Sequence, residues 1–118
     1  MNLKELANRL EMKEEEFSEW AKLFVEAGTA DLDRLTASIG KGEWEEAADA
    51  AHSIKGAAAN LGMAEPFELA GRIEKETREN HVGRTAEWIL TLRQILGQMA
   101  DELQEGARRR NEQNGPGG

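Results

Sequence analysis

Apolar residues recur along this chain at helical spacing, and their runs and interruptions predict a series of amphipathic helices. Leu3, Leu6, Ala7 and Leu10 predict a short first helix, with Asn2 as its cap. From Lys13 to Glu26 the residues Phe17, Trp20, Ala21, Phe24 and Val25 share one buried face, Glu14, Glu15 and Glu16 suit the positive end of the helix dipole, and Gly28 is expected to stop the helix. Thr29 then caps a further helix, whose stripe is Leu32, Leu35 and Ile39 and whose end is the Gly40, Lys41, Gly42 turn. Connections this short make successive helices antiparallel neighbours.

From Glu43 to Leu61 the spacing of Trp44, Ala47, Ala48, Ala51, Ile54, Ala58 and Leu61 runs without a breaker, so one long helix is expected, ended by Gly62. Pro66 stands where a first-turn proline is tolerated, and Phe67, Ala70, Ile73 and Thr77 mark the inner face of a helix reaching about Asn80. Gly83 resets the chain. The last helix starts near Arg84 and carries Trp88, Ile89, Leu92, Ile95, Leu96, Met99 and Leu103, the longest apolar stripe of all. The expected architecture is all-α: an antiparallel up-down four-helix bundle over residues 13–105, with residues 1–12 as a short helical lead-in. The segment GARRRNEQNGPGG has no apolar periodicity, and residues 106–118 are expected to form a disordered tail or linker.

Composition narrows the function classes. A length of 118 residues suits one domain with one core, and 39% hydrophobic with 32% charged residues suits amphipathic helices. A formal net charge of -8 repels phosphate backbones, and no basic stripe with interleaved aromatics offsets it, so no nucleic-acid partner is expected. With no cysteine there is no disulfide and no thiolate metal site. Lys4, Glu5 and Arg9 interrupt the beginning of the chain where a signal peptide needs an apolar run, and no stretch reaches membrane-spanning length. The expected location is cytoplasmic, without membrane attachment.

The chemistry concentrates on the long helix. His52 lies one position past Ala51, about 100° round from that core position, and so at the edge of the buried stripe. Lys55 and Gly56 follow three and four residues later, which puts an imidazole, an ammonium and a bare patch of backbone on one face. An imidazole is substantially neutral near pH 7, and its free ring nitrogen is a competent nucleophile towards phosphorus. A cation one turn away can stabilise the charge that a transferring phosphoryl group spreads over its oxygens. Glycine inside a helix costs roughly 1 kcal/mol relative to alanine, so Gly56 in an alanine-rich helix suggests clearance for something that docks. Ala48, Ala51 and Ala59 extend that low surface. Taken singly, a surface histidine, a solvated lysine and a packing glycine are all ordinary; their combination is not.

The run AHSIKGAAANLG, residues 51–62, resembles the signature of histidine-containing phosphotransfer (HPt) domains, with every motif position filled. The likeness extends through GEWEEAADAAHSIKG and RIEKETREN and covers roughly residues 13 to 105. It implies His52 as the phosphoacceptor, Lys55 as the phosphate-stabilising lysine and Gly56 as the glycine that lets a receiver approach; Ala48 and Ala59, on the low surface beside it, are read as further docking residues. It also aligns Glu74 with the residue that often stands beside the active histidine. A carboxylate accepting from Nδ1 would leave Nε2 as the exposed nucleophile; the plainer alternative for Glu74 is a solvated pair with Arg78 four residues on. Arg72, Lys75 and Arg78 are read as a solvated face and His81 as an exposed loop residue.

The resemblance further implies a monomeric phosphorelay intermediate. His52 would accept a phosphoryl group from a receiver-domain aspartate or a histidine kinase and pass it to an aspartate of a response-regulator receiver. The receiver would bring Mg²⁺, and this chain would bind no cofactor, no metal and no ATP, because it has neither clustered carboxylates nor a phosphate-cradling glycine loop. One alternative is the amino-terminal phosphotransfer domain of a chemotaxis-type or hybrid histidine kinase; a rival from another class is a non-catalytic helical interaction module.

Overall fold

A computed structural model describes residues 3–113, and all of its regular structure is helical: α1 (Leu3–Arg9), α2 (Glu14–Gly40), α3 (Trp44–Asn60), α4 (Ala64–Arg78) and α5 (Thr85–Gln113). The expected cap at Asn2 lies outside the described residues. α2 packs against α3 and α5, and α4 also packs against α3 and α5, so four helices close a ring around one core while α1 rests on α2. Phe17, Leu32, Leu35, Ile54, Ile73, Leu92 and Met99 fill that core and are almost wholly withdrawn from solvent. Among the described residues no helix is long and apolar enough to cross a membrane.

α3 is the central element. Ala47, Ala48, Ala50, Ala51, Ile54 and Ala58 are all buried, and the small side chains of the alanines among them let α2 and α4 approach from either side. The α2–α3 connection turns at Gly42 (φ +70°) and the α3–α4 connection at Gly62 (φ +68°), left-handed conformations that glycine adopts without penalty. Pro66 falls in the first turn of α4, as expected, and Asn80 (φ 56°) lies just past its end.

Three expectations are corrected. Gly28 does not stop a helix and Thr29 does not cap one: α2 runs unbroken through both, and Thr29 Oγ1 donates to the Val25 carbonyl one turn back at 2.7 Å. Gly28 is buried against α5, where a β-carbon would stand 3.1 Å from Leu96 Cδ1, so the missing side chain serves a close helix crossing. Trp20 and Phe67, placed on inner faces by periodicity, are 50% and 40% exposed. The disordered tail also fails over residues 106–113, which continue α5. Ion pairs of Arg108 with Glu105 and Glu112, and of Arg109 with Glu105, lace that extension at helical spacing and support it without an apolar face. Residues 114–118 lie outside the described residues.

The connection from α4 to α5 is organised by Glu76. Its Oε2 accepts from the buried Thr85 hydroxyl at 2.6 Å and its Oε1 from the Arg84 backbone N–H at 3.5 Å, so a carboxylate on α4 helps to satisfy the start of α5. His81 lies in this connection with its side chain 65% exposed.

Candidate functional site

The ring of helices brings together residues far apart in sequence. His52 stands on α3 with its side chain 62% exposed, whereas Glu74, on α4, is only 12% exposed and reaches it from the side. His52 Nδ1 lies 3.0 Å from Glu74 Oε2. An ionised carboxylate can only accept, so this pairing puts the ring proton on Nδ1 and leaves the Nε2 lone pair free. The second carboxylate oxygen, Oε1, accepts from Lys55 Nζ at 3.2 Å. Glu74 is thus the hub of the cluster, with the histidine on one oxygen and the lysine on the other.

Arg78 joins the same hub. Its NH2 and Nε donate to Glu74 Oε2 at 2.9 and 3.2 Å, and its NH2 also lies 3.6 Å from Asp49 Oδ1 on α3. Burial pushes the Glu74 carboxyl up, but hydrogen bonds from Arg78, His52 and Lys55 outweigh it and hold the group below the ordinary carboxylate value. Glu74 therefore meets both the histidine and the arginine on one oxygen, and the solvated Glu74–Arg78 pair is corrected in one respect, since Glu74 is largely withdrawn from solvent.

The lysine is steered by its surroundings. Lys55 Nζ lies 5.8 Å from the centroid of the Phe67 ring, a cation–π contact that gives the half-exposed Phe67 a use. The Lys55 stem passes over Gly71, whose added β-carbon would meet Lys55 Cδ at 3.5 Å. Beside the histidine, Ser53 donates to Asp31 Oδ2 on α2 at 2.7 Å. His52 and Ser53 thus tie α3 to α4 and to α2 at adjacent positions.

A family model described as the Hpt domain matches residues 19–106, most of the chain. The chain belongs to the Hpt domain family. It matches no curated protein and no solved structure at a significant level. Hpt domains are phosphocarrier modules of two-component signalling rather than catalysts in their own right.

Within this Hpt domain the expected docking residues divide. Gly56 and Ala59 are exposed, and a β-carbon built at Gly56 meets nothing within 4 Å, so the bare backbone faces open space. Ala48 is wholly buried, as is Ala51, because α3 packs on both sides and its alanines draw its neighbours in; neither can touch a partner. Arg78, Asp49 and Asp31 were not read from the sequence as site residues. The one available signal was the spacing of Glu74 and Arg78 across a turn of α4; the Asp31–Ser53 pair, 22 positions apart, has no local signature.

Proposed function

We propose that this Hpt domain is a phosphorelay intermediate in which His52 accepts a phosphoryl group from a receiver aspartate or a histidine kinase and passes it to the aspartate of a response-regulator receiver. The observation that carries the reading is the Nδ1–Glu74 hydrogen bond at 3.0 Å on a histidine that is otherwise mostly exposed. In the accepting step the Nε2 lone pair forms a bond to phosphorus while the bond from phosphorus to the aspartyl oxygen breaks, returning a carboxylate to the donor. The ring keeps its proton on Nδ1 and gains positive charge, which Glu74 stabilises at contact distance. Lys55, one turn along α3, would exchange part of its hold on Glu74 for a phosphoryl oxygen. The reverse step needs the same groups.

The reading assigns the remaining chemistry to the partner, which supplies the aspartate and its Mg²⁺. Gly56 and Ala59 offer that partner an unobstructed approach. An apolar groove of about 530 Å³ opens between α2 and α3, lined among others by Trp20, Leu23, Ala57 and Asn60, and would offer such a partner further contact surface. On this reading the ring of helices is an antiparallel up-down bundle carried by a monomer in the cytoplasm, with α1 as an accessory helix.

Incubation with a phosphorylated receiver, or with a kinase that charges one, is expected to place an acid-labile, base-stable phosphoryl group on the wild type and none on His52→Gln. Label on the His52→Gln variant would refute the site, and no label from a broad panel of donors would favour a helical interaction module instead.

A further inference from the structure

Glu74 carries more cationic partners than orienting a ring requires. Lys55 occupies Oε1, while Arg78 places two donors on Oε2, the very oxygen that faces His52 Nδ1. An unbalanced carboxylate beside an imidazole favours the doubly protonated ring, and a doubly protonated ring has no lone pair with which to attack phosphorus. From this geometry we infer that Arg78 is a positioning residue: by sharing Glu74 Oε2 it balances the carboxylate's charge, so that Glu74 orients His52 without drawing a second proton onto it. The inference rests on the phosphotransfer reading and deepens it, because it assigns the protonation state of the nucleophile to a residue outside the familiar His, Lys and Gly set.

The other charges around the ring support this division of labour. On α3, Asp49 lies one turn before His52 and is itself drawn to Arg78 at 3.6 Å, so the same guanidinium offsets a second nearby carboxylate. On α2, Asp31 is engaged by the Ser53 hydroxyl and lies 3.8 Å from Arg34 NH2. Lys55 is held at the far oxygen of Glu74. Removing Arg78 therefore leaves Glu74 with one cation rather than two and leaves Asp49 without the guanidinium. Arg78 is half exposed, so its replacement leaves the core intact.

The test compares initial labelling rates from a phosphorylated receiver for the wild type, Arg78→Gln, Arg78→Lys, Glu74→Gln and the Arg78→Gln/Glu74→Gln double variant, at pH 6 and pH 8.5. Loss of the two donors that Arg78 places on Glu74 Oε2 is expected to slow Arg78→Gln roughly threefold at pH 6 and to leave it close to the wild-type rate at pH 8.5. Arg78→Lys is expected to behave as wild type, and the pH 6 defect is expected to vanish in the Glu74→Gln background, since the effect passes through Glu74. An equal slowing at both pH values, or losses that multiply in the double variant, would place Arg78 on the phosphoryl group or in the scaffold and overturn the inference. Imidazole ¹⁵N spectra give a readout independent of transfer: at pH 6, Arg78→Gln should show a larger doubly protonated fraction of His52 than the wild type, and an unchanged fraction overturns the inference. A wild type that accepts no label ends the phosphotransfer reading itself, and the spectra then decide the role of Arg78 alone.

Discussion

At the scale of single residues, the site depends on one carboxylate shared by three donors. Glu74 is mostly withdrawn from solvent, yet it holds an imidazole, an ammonium and a guanidinium at 2.9 to 3.2 Å. His52, Lys55 and Gly56 were legible in the sequence because they stand on one turn of one helix. Glu74 is legible only through the family likeness, and Arg78 reads in sequence as a solvated face, as a charged pair across a turn usually is. Nothing in a one-dimensional pattern shows that α4 presents that pair to α3. Gly56 makes a prediction of its own. An added methyl there meets no atom of the chain, so Gly56→Ala is expected to raise stability by about 0.5–1 kcal/mol through helix propensity and a less flexible unfolded chain while slowing labelling by a receiver. Urea unfolding and a transfer assay on the same preparation check both halves. A variant that is more stable and transfers at the wild-type rate would show that Gly56 does not serve docking.

At the scale of the elements, the pattern of apolar residues located α1, α3, α4 and the start of α5 to within a few positions but divided α2 in two. The stripe Phe17, Ala21, Phe24, Gly28, Leu32, Leu35 keeps a spacing of three or four throughout, provided that Gly28 is counted as a buried member rather than a breaker. Its glycine is a contact residue whose partner, Leu96, is 68 positions away. Trp20 and Phe67 misled in the opposite direction, since large aromatic residues at the edge of a stripe read as core although one borders a groove and the other faces a lysine. The extension of α5 past Glu105 rests on Glu–Arg pairs and has no periodic apolar signal to find. Gly28→Val is expected to cost about 1–3 kcal/mol, because its branches would enter the space of the Leu96 methyl groups. Thermal or urea unfolding measures it, and an unchanged or higher stability would mean that Leu96 gives way and that the α2–α5 crossing is not set by this glycine.

At the scale of the whole molecule, the same interactions that orient the proposed nucleophile also hold α3 to α4, so site and fold share a pH dependence. Glu74 is held below the ordinary carboxylate value of 4.5, which means that the unfolded chain takes up its proton first as pH falls. The stability that this carboxylate contributes is complete above that value and is lost as pH drops through the lower folded-state value. The stability of the wild type relative to Glu74→Gln should therefore be constant from neutral pH down to about 4.5 and decline below it, as read by urea titration at a series of pH values. A relative stability that rises towards acid would contradict the hydrogen-bonded cluster around Glu74.

The central claim is that Nε2 of His52 is the atom that takes phosphorus, since Nδ1 is committed to Glu74 at 3.0 Å. The most direct measurement is ³¹P and ¹⁵N NMR of the protein after phosphorylation by a receiver or kinase. The expected spectrum shows phosphorus bonded to Nε2 of His52, with Nδ1 still protonated; phosphorus on Nδ1, or on any other residue, would contradict the account.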